Sequence, residues 1–314
     1  MQSLYIFFKK ADIIDWLFFI CYYSGDIKRG GQYMHQIIFL DIDGTLRDEV
    51  YGVPETAKIA IKMCRENSIY TCLCTGRTIG TITDDVLDLS TDGIIAGGGS
   101  YIEFQSEVIK KTFFKMDKMK EASFYLKNIN NETAFTFESD DIVFMNKAAV
   151  EILTSLNNEK FKLLNEEERR GAILKQKIIY EENLHSFNEN LHEISKICLW
   201  GREEVFKKLK SIFSENEIQL AQSYKFDSRN YYEIIQKECN KGEAILSLCK
   251  HLDIDVNKTL GFGDGRNDID MLKVVGSAVG VQGGSKEIFQ YVDSICEEPM
   301  KDGIYLELKR RNLI

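Results

Sequence analysis

Proline is scarce in this chain. Only Pro54 and Pro299 occur among 314 residues, so proline marks no linker between domains. Long apolar runs are also missing. The stretch 13–23 is apolar and aromatic, but Asp15 interrupts it, and it is far shorter than the roughly 20 residues of a membrane span. Nor is it a signal peptide. Lys9 and Lys10 are followed by Asp12 and Asp15, and no small-residue cleavage site follows. Stable membrane insertion and export are therefore not expected. The eight cysteines include no C-x-x-C pair and no zinc-like spacing. Several, such as Cys72 and Cys198, sit inside apolar stretches and read as buried free thiols of a reducing cytoplasm. The four histidines, His35, His185, His192 and His251, form no ligand cluster. A surplus of positive charge is lacking too: the formal net charge is -9. That excludes a general nucleic-acid binder, which shows a basic patch or stripe. It leaves open a small phosphorylated substrate, because a metal and local charge override the global sign. There is no Walker A loop. Gly261, Gly263 and Gly265 fail the dinucleotide pattern because Arg266 stands where its third glycine belongs. No internal repeat or low-complexity stretch is evident.

What is present is ordinary globular material, 44% hydrophobic and 28% charged, in a chain long enough for two domains. Near both ends strand-like runs alternate with helix-like ones. Residues 37–40 form an apolar run that reads as a buried strand, 55–67 as an amphipathic helix, 70–74 as a second strand, 78–89 as a helix and 93–96 as a third strand. The rhythm returns with a helix over 242–252, a strand at 259–262, a helix over 268–275, a strand at 277–281, a helical piece at 286–292 and a closing helix within 302–313. This β-α-β order implies a Rossmann-like, doubly wound parallel sheet.

Between these halves the chain is richer in Asn, Glu and Lys. Helices are expected over 117–128, 147–156 and 202–213. Strands are expected at 134–138, 142–145 and 194–200, with a hairpin-like pair at 219–224 and 231–235. An insertion of this size is a second domain. The expected division is a leader (1–33), a discontinuous core (34–114 and 237–314) and an inserted α/β domain (115–236).

Four short motifs carry chemistry. Asp41-Ile42-Asp43-Gly44-Thr45 follows the first strand, where open α/β sheets bind their ligands. Asp41 can attack phosphorus and form an aspartyl-phosphate. Asp43 can serve as general acid toward the leaving oxygen, then as base toward water. Thr75-Gly76-Arg77 offers a hydroxyl, backbone N–H groups at a following helix start and a guanidinium. Lys241 opens a helix, where a cation opposes the dipole; neutralising phosphate and Asp41 gives it a purpose. In Gly263-Asp264-Gly265-Arg266-Asn267-Asp268, Asp264 joins Asp41 and the Asp43 carbonyl as a Mg²⁺ set, Asp268 orients the shell, and Asn267 contacts substrate or the nucleophile. The run Gly97-Gly98-Gly99-Ser100 has no lysine behind it and reads as a close backbone approach or turn.

Together these residues resemble the haloacid dehalogenase (HAD) superfamily, and within it the Cof-type phosphatases, over about residues 35–314. The resemblance implies Asp41 as nucleophile, Asp43 as acid/base, Thr75 and Lys241 as phosphoryl-binding residues, and Asp264 and Asp268 completing the Mg²⁺ site. Gly76, Arg77 and Asn267 are the further substrate-binding candidates. It also implies a large α/β cap inserted after the third strand. Two positions depart from the branch: Gly98-Gly99 and Gly280-Val281 stand where Asn-Gly and Gly-Asn are common. The expected activity is Mg²⁺-dependent hydrolysis of a small phosphorylated metabolite, a sugar phosphate or a phosphorylated cofactor. The alternatives are a sugar phosphomutase and a non-catalytic binding protein. Met34 is the expected start, with 1–33 dispensable, since the first core strand follows it at once.

Overall fold

The computed structural model describes residues 36–129, 133–174, 181–213, 218–226 and 229–314. The expected leader and the start at Met34 lie outside the described residues. The strands, in chain order, are β1 (Ile37–Leu40), β2 (Tyr70–Cys74), β3 (Gly93–Ala96), β4 (Tyr101–Phe104), β5 (Glu107–Lys111), β6 (Ala134–Glu138), β7 (Val143–Met145), β8 (Lys196–Gly201), β9 (Ile218–Phe226), β10 (Arg229–Gln236), β11 (Thr259–Gly263), β12 (Ser277–Val281) and β13 (Ser294–Cys296).

They form two sheets. The first has the order β13-β12-β11-β1-β2-β3-β4-β5. Strands β13 to β3 in that order are parallel, and β4 and β5 are antiparallel additions. The chain runs outward from β1 to β3, then returns to β11 on the other side of β1. The order therefore reverses between β1 and β11, and the crevice beyond the strand ends opens there.

Strand β1 shows why its sequence is wholly apolar. Successive side chains point to opposite faces. Ile38 and Leu40 pack with Ala57, Ala60 and Ile61 of the helix Glu55–Glu66 and with Ile304 and Leu308 of the helix Gly303–Arg310. Ile37 and Phe39 pack with Ala244, Ile245 and Leu248 of the helix Lys241–His251. All four β1 residues are buried, each worth about 1.5–3 kcal/mol relative to exposure.

The second sheet, β7-β6-β8-β10-β9, is antiparallel and inserted between β5 and the helix Lys241–His251. Phe135 and Phe137, Ile197 and Leu199, and Tyr232 and Ile234 alternate onto one face under the helices Met116–Lys127 and Glu203–Phe213. The other face packs Ala134, Cys198, Trp200 and Tyr231 against the helix Lys147–Lys160. The fold is thus a Rossmann-like core with an α/β cap.

Several expected elements differ. The helix expected over 78–89 is a 3-10 turn, Ile79–Thr81, and one α-turn, Asp84–Leu87. Gly80 and the β-branched Thr78, Ile79, Thr81 and Ile82 disfavour a continuous helix. The Thr81 hydroxyl also donates to the Thr78 carbonyl at 2.9 Å, a local bond that competes with helix. The helical piece expected at 286–292 is present as a 3-10 helix, Lys286–Tyr291. Strands β4, β5 and β13 and the helix Glu166–Leu174 were not expected from the sequence.

Candidate active site

Asp41 follows β1 directly, and its N–H extends the β1–β11 pairing by donating to the Phe262 carbonyl at 3.1 Å. The chain then turns. Gly44 has φ of +82°, and a Cβ there would stand 2.5 Å from Asp264 Oδ2. Only glycine suits both the left-handed backbone and this approach. Thr45 Oγ1 donates to Asp264 Oδ1 at 3.0 Å, tying the turn after β1 to the end of β11.

Lys241 is the link across the site. It is 2% exposed, and its Nζ donates to Asp41 Oδ1 at 2.6 Å and to Asp268 Oδ1 at 2.5 Å. The Asn240 side chain caps the helix by accepting from the Glu243 N–H at 2.8 Å. Gly242 lets that helix approach closely, since a Cβ there would lie 2.5 Å from the Asp270 carbonyl oxygen. The other oxygen of Asp268 accepts the backbone N–H groups of Asp264 at 3.0 Å and Gly265 at 2.8 Å. Asp268 thus has both oxygens engaged and fixes Lys241 and the 264–265 loop together.

Asp41, Asp264 and Asp268 each offer an oxygen within 4.8 Å of the others. Three carboxylates against the one ammonium of Lys241 leave two negative charges. The electrostatics record the crowding. Burial, then the charge of Asp268, pushes Asp264 up to about 6. Burial and Asp268 also raise Asp41, against the pull of Lys241. Burial would lower Lys241, but Asp268 and Asp41 hold it above the ordinary lysine range. Hard oxygen donors carrying excess negative charge fit a divalent cation such as Mg²⁺.

Asp43 points elsewhere. Arg77 Nε donates to its Oδ2 at 2.5 Å and Arg77 Nη2 to its Oδ1 at 2.8 Å. Arg47, almost fully buried, adds a 3.3 Å contact to Oδ1 and lies 3.6 Å from Asp85. Burial alone would raise Asp43, but Arg77, Arg47 and Lys160 hold it below the usual carboxylate range. Arg77, expected to grip substrate, engages Asp43 and the Thr81 carbonyl in this state.

Thr75 is buried at the end of β2, and its Oγ1 accepts the Arg77 N–H at 3.1 Å. No long helix starts behind it; the glycine run takes that place. Gly98 N–H donates to the Thr75 carbonyl at 2.9 Å and Gly97 N–H to the Arg77 carbonyl at 2.7 Å. Asn267 is exposed, with its Nδ2 4.0 Å from where a Gly76 Cβ would stand.

Thus Asp41, Lys241, Asp264 and Asp268 converge, with Thr75, Gly76 and Asn267 along the same strand-end crevice. Sequence reasoning missed Arg47, Lys196 and Glu233. Arg47 follows Asp43 by four residues, a weak signal. Lys196 and Glu233 lie in the insertion with no local signature. Among the described residues, no helix is long and apolar enough to cross a membrane.

Fold and site together define an α/β enzyme with a carboxylate-rich site at the switch point of its sheet. The chain belongs to the haloacid dehalogenase-like hydrolase family, which its residues 38–308 match. Its large α/β insertion is the form of the Cof-type branch. It is 23% identical over 281 residues to the 5-amino-6-(5-phospho-D-ribitylamino)uracil phosphatase YwtE of Bacillus subtilis (strain 168), spanning 85% of this chain and 94% of that protein. It is 25% identical over 247 residues to the HMP-PP phosphatase of Klebsiella pneumoniae (strain 342), spanning 77% and 82%. The solved structure of BT1666 from Bacteroides thetaiotaomicron, described among phosphatases of the HAD superfamily, superposes with a TM-score of 0.70 at 21% identity, covering 93% of this chain and all of that one.

Proposed function

We propose that this enzyme is a Mg²⁺-dependent phosphatase that hydrolyses a small phosphorylated metabolite, a sugar phosphate or a phosphorylated cofactor, through an aspartyl-phosphate at Asp41. The observation that carries the reading is the Lys241 bridge from Asp41 to Asp268, with Asp264 alongside. The names of the relatives, phosphatases of small phosphorylated molecules, support it.

In this reading the phosphoryl group sits between Asp41, the Thr75 hydroxyl and the Lys241 ammonium. Asp41 attacks phosphorus while Asp43 gives a proton to the leaving oxygen, and the alcohol departs. Asp43 then takes a proton from water, the oxygen attacks the aspartyl-phosphate, and phosphate and free Asp41 result. Lys241 offsets the negative charge that Asp41 and the phosphoryl oxygens bring together. Carboxylates of Asp41, Asp264 and Asp268 and the Asp43 carbonyl would hold the metal, which supplies Lewis-acid polarisation of the phosphoryl oxygens. Gly76, Arg77 and Asn267 bind substrate around this centre.

The division proposed with it is a core of 34–114 and 237–314 and a cap of 115–236. Buried free thiols such as Cys72, Cys74 and Cys198 support a cytoplasmic setting.

The test is phosphate release from a panel of phosphorylated metabolites, with Mg²⁺ and with chelator. Release that needs Mg²⁺ and vanishes in Asp41→Asn is expected. Release undiminished in chelator, or none from any ester including p-nitrophenyl phosphate, would overturn the reading.

A further inference from the structure

The cap sheet presents a second polar group, one that phosphoryl transfer does not use. Alternation places Thr136 and Glu138 of β6, Lys196 and Cys198 of β8, and Tyr231, Glu233 and Ile235 of β10 on one face. Register sets Glu138 opposite Lys196, and Glu233 opposite Cys198. This end of the face lies over the core loops. Lys196, with 8% of its side chain exposed, has its Nζ 3.1 Å from Glu233 Oε1 and 3.9 Å from Glu138 Oε2. The same ammonium donates to the Gly76 carbonyl at 3.2 Å. Glu138 Oε2 accepts the Thr78 hydroxyl at 3.3 Å. Ile235 Cδ1 reaches within 3.2 Å of where a Gly98 Cβ would stand. Glu233 and the Thr75-Gly76-Arg77 loop therefore share one lysine, beside Asn267.

Glu233 is built for contact. Its Oε1 takes the Tyr231 hydroxyl at 2.8 Å as well as Lys196. Among the described residues no hydrogen bond is recorded to Oε2, and 29% of the side chain stays exposed. Burial would raise this carboxyl, but Lys196, Tyr231 and the catalytic Lys241 hold it ionised. A partly exposed carboxylate that shares Lys196 with the Gly76 carbonyl stands at the contact between cap and core.

We propose that Glu233 reads the leaving group: Oε2 accepts a hydrogen bond from a hydroxyl or ammonium of the alcohol being released, and Lys196 is its positioning residue. The inference rests on the phosphatase reading and narrows it. A fixed carboxylate attracts donor-bearing, uncharged or cationic leaving groups and repels a second anion. Monophosphates of polyols and amino alcohols are then favoured over phosphates whose other end carries a carboxylate.

The test compares Glu233→Gln with the parent on polyol monophosphates such as ribitol 5-phosphate, on 3-phosphoglycerate and on p-nitrophenyl phosphate. Ratios between substrates within one variant do not depend on the folded fraction. The expected result is a fall in kcat/KM of about ten- to a hundredfold on the best polyol monophosphate, a smaller fall on the aryl ester, and a gain on 3-phosphoglycerate relative to both. Proportional loss on all three would overturn the proposal, as would a parent enzyme that prefers 3-phosphoglycerate. Calorimetry in the Asp41→Asn background separates the two readings. If the parent hydrolyses no ester, the phosphatase reading fails. Glu233→Gln must still weaken ribitol 5-phosphate more than inorganic phosphate, or this proposal fails as well.

Discussion

Arg77 holds both carboxylate oxygens of Asp43 in a fork, Nε at 2.5 Å from Oδ2 and Nη2 at 2.8 Å from Oδ1. A planar guanidinium matches a carboxylate in this way, and a lysine does not. The fork keeps Asp43 charged, which suits the step in which it accepts a proton from water. It opposes the step in which Asp43 donates one. In the proposed mechanism Arg77 loosens as substrate arrives, the phosphoryl oxygens being a competing partner for its charge.

Arg77→Lys removes the fork while keeping the charge. The expected effect is a loss of about ten- to a hundredfold in kcat on p-nitrophenyl phosphate, whose turnover waits on Asp43 taking a proton from water, and a smaller loss on alkyl phosphates, where the released Asp43 protonates the leaving oxygen more readily. Steady-state kinetics on both esters checks this. If KM instead rises on every ester with kcat preserved, Arg77 acts as a binding residue and its contact with Asp43 is incidental.

Asp41→Asn should keep the fold and lose turnover, because the amide is nearly isosteric and a far weaker nucleophile. Lys241→Met should lose turnover and stability together. It leaves Asp41 and Asp268 buried without their shared cation, and breaking a buried charge network costs about 3–5 kcal/mol. Urea unfolding in chelator measures that cost. A Lys241→Met protein as stable as the parent would show that the two carboxylates take up protons or solvent instead.

The clustering of the candidate site was legible because its residues lie at strand ends in consecutive motifs, and the parallel sheet brings strand ends together. Asp41, Thr75, Lys241 and Asp264 announce themselves that way. The strand at 70–74 and the strand at 277–281 were read to the residue, since strands buried on both faces are continuous apolar runs. What the sequence left unread was one local break and two meetings of distant residues. Residues 78–89 have helical-looking apolar spacing, yet Gly80 and threonine hydroxyls break it. The Asp43–Arg77 fork spans 34 residues, and no spacing rule predicts which partner a guanidinium takes. Lys196 and Glu233 meet only through the β8–β10 register, which the sequence does not display.

Asp264, pushed up to about 6 by burial and Asp268, makes metal affinity and stability depend on pH. A carboxyl whose folded value exceeds its unfolded value binds its proton more tightly in the native state. Its ionisation therefore costs native stability, and the loss accumulates as pH rises from the ordinary carboxyl value of 3.8 and is complete above about 6. In chelator the melting temperature should fall between about pH 4 and about pH 6 on this account. Mg²⁺ should remove the fall, and its half-saturating concentration should climb as pH drops below about 6, because protons compete for the same oxygens. Melting curves with and without Mg²⁺ test it. A metal-free protein whose melting temperature rises over that interval would sink the assignment.

Gly80 gives a handle on the contact between cap and core. A Cβ at this position would stand 2.9 Å from the Asp140 carbonyl oxygen and 2.9 Å from the Asp141 carbonyl carbon. Both belong to the turn between β6 and β7 of the cap, and Asp140 also pairs with Lys111 of β5 at 2.8 Å. Backbone yields less readily than a side-chain tip, so Gly80→Ala must move the cap away from the loop that carries Thr75 and Arg77. The same displacement stretches the Lys196 contact to Gly76. Overpacking of this kind costs about 1–3 kcal/mol, and here the loss falls on the contact between cap and core rather than on either sheet. The expected outcome is a small change in melting temperature and a larger loss of kcat/KM on metabolites that need the cap than on p-nitrophenyl phosphate, which reaches the core site with little help. Equal losses on both would mean the contact serves folding. No loss on either would mean that the cap does not work from this position.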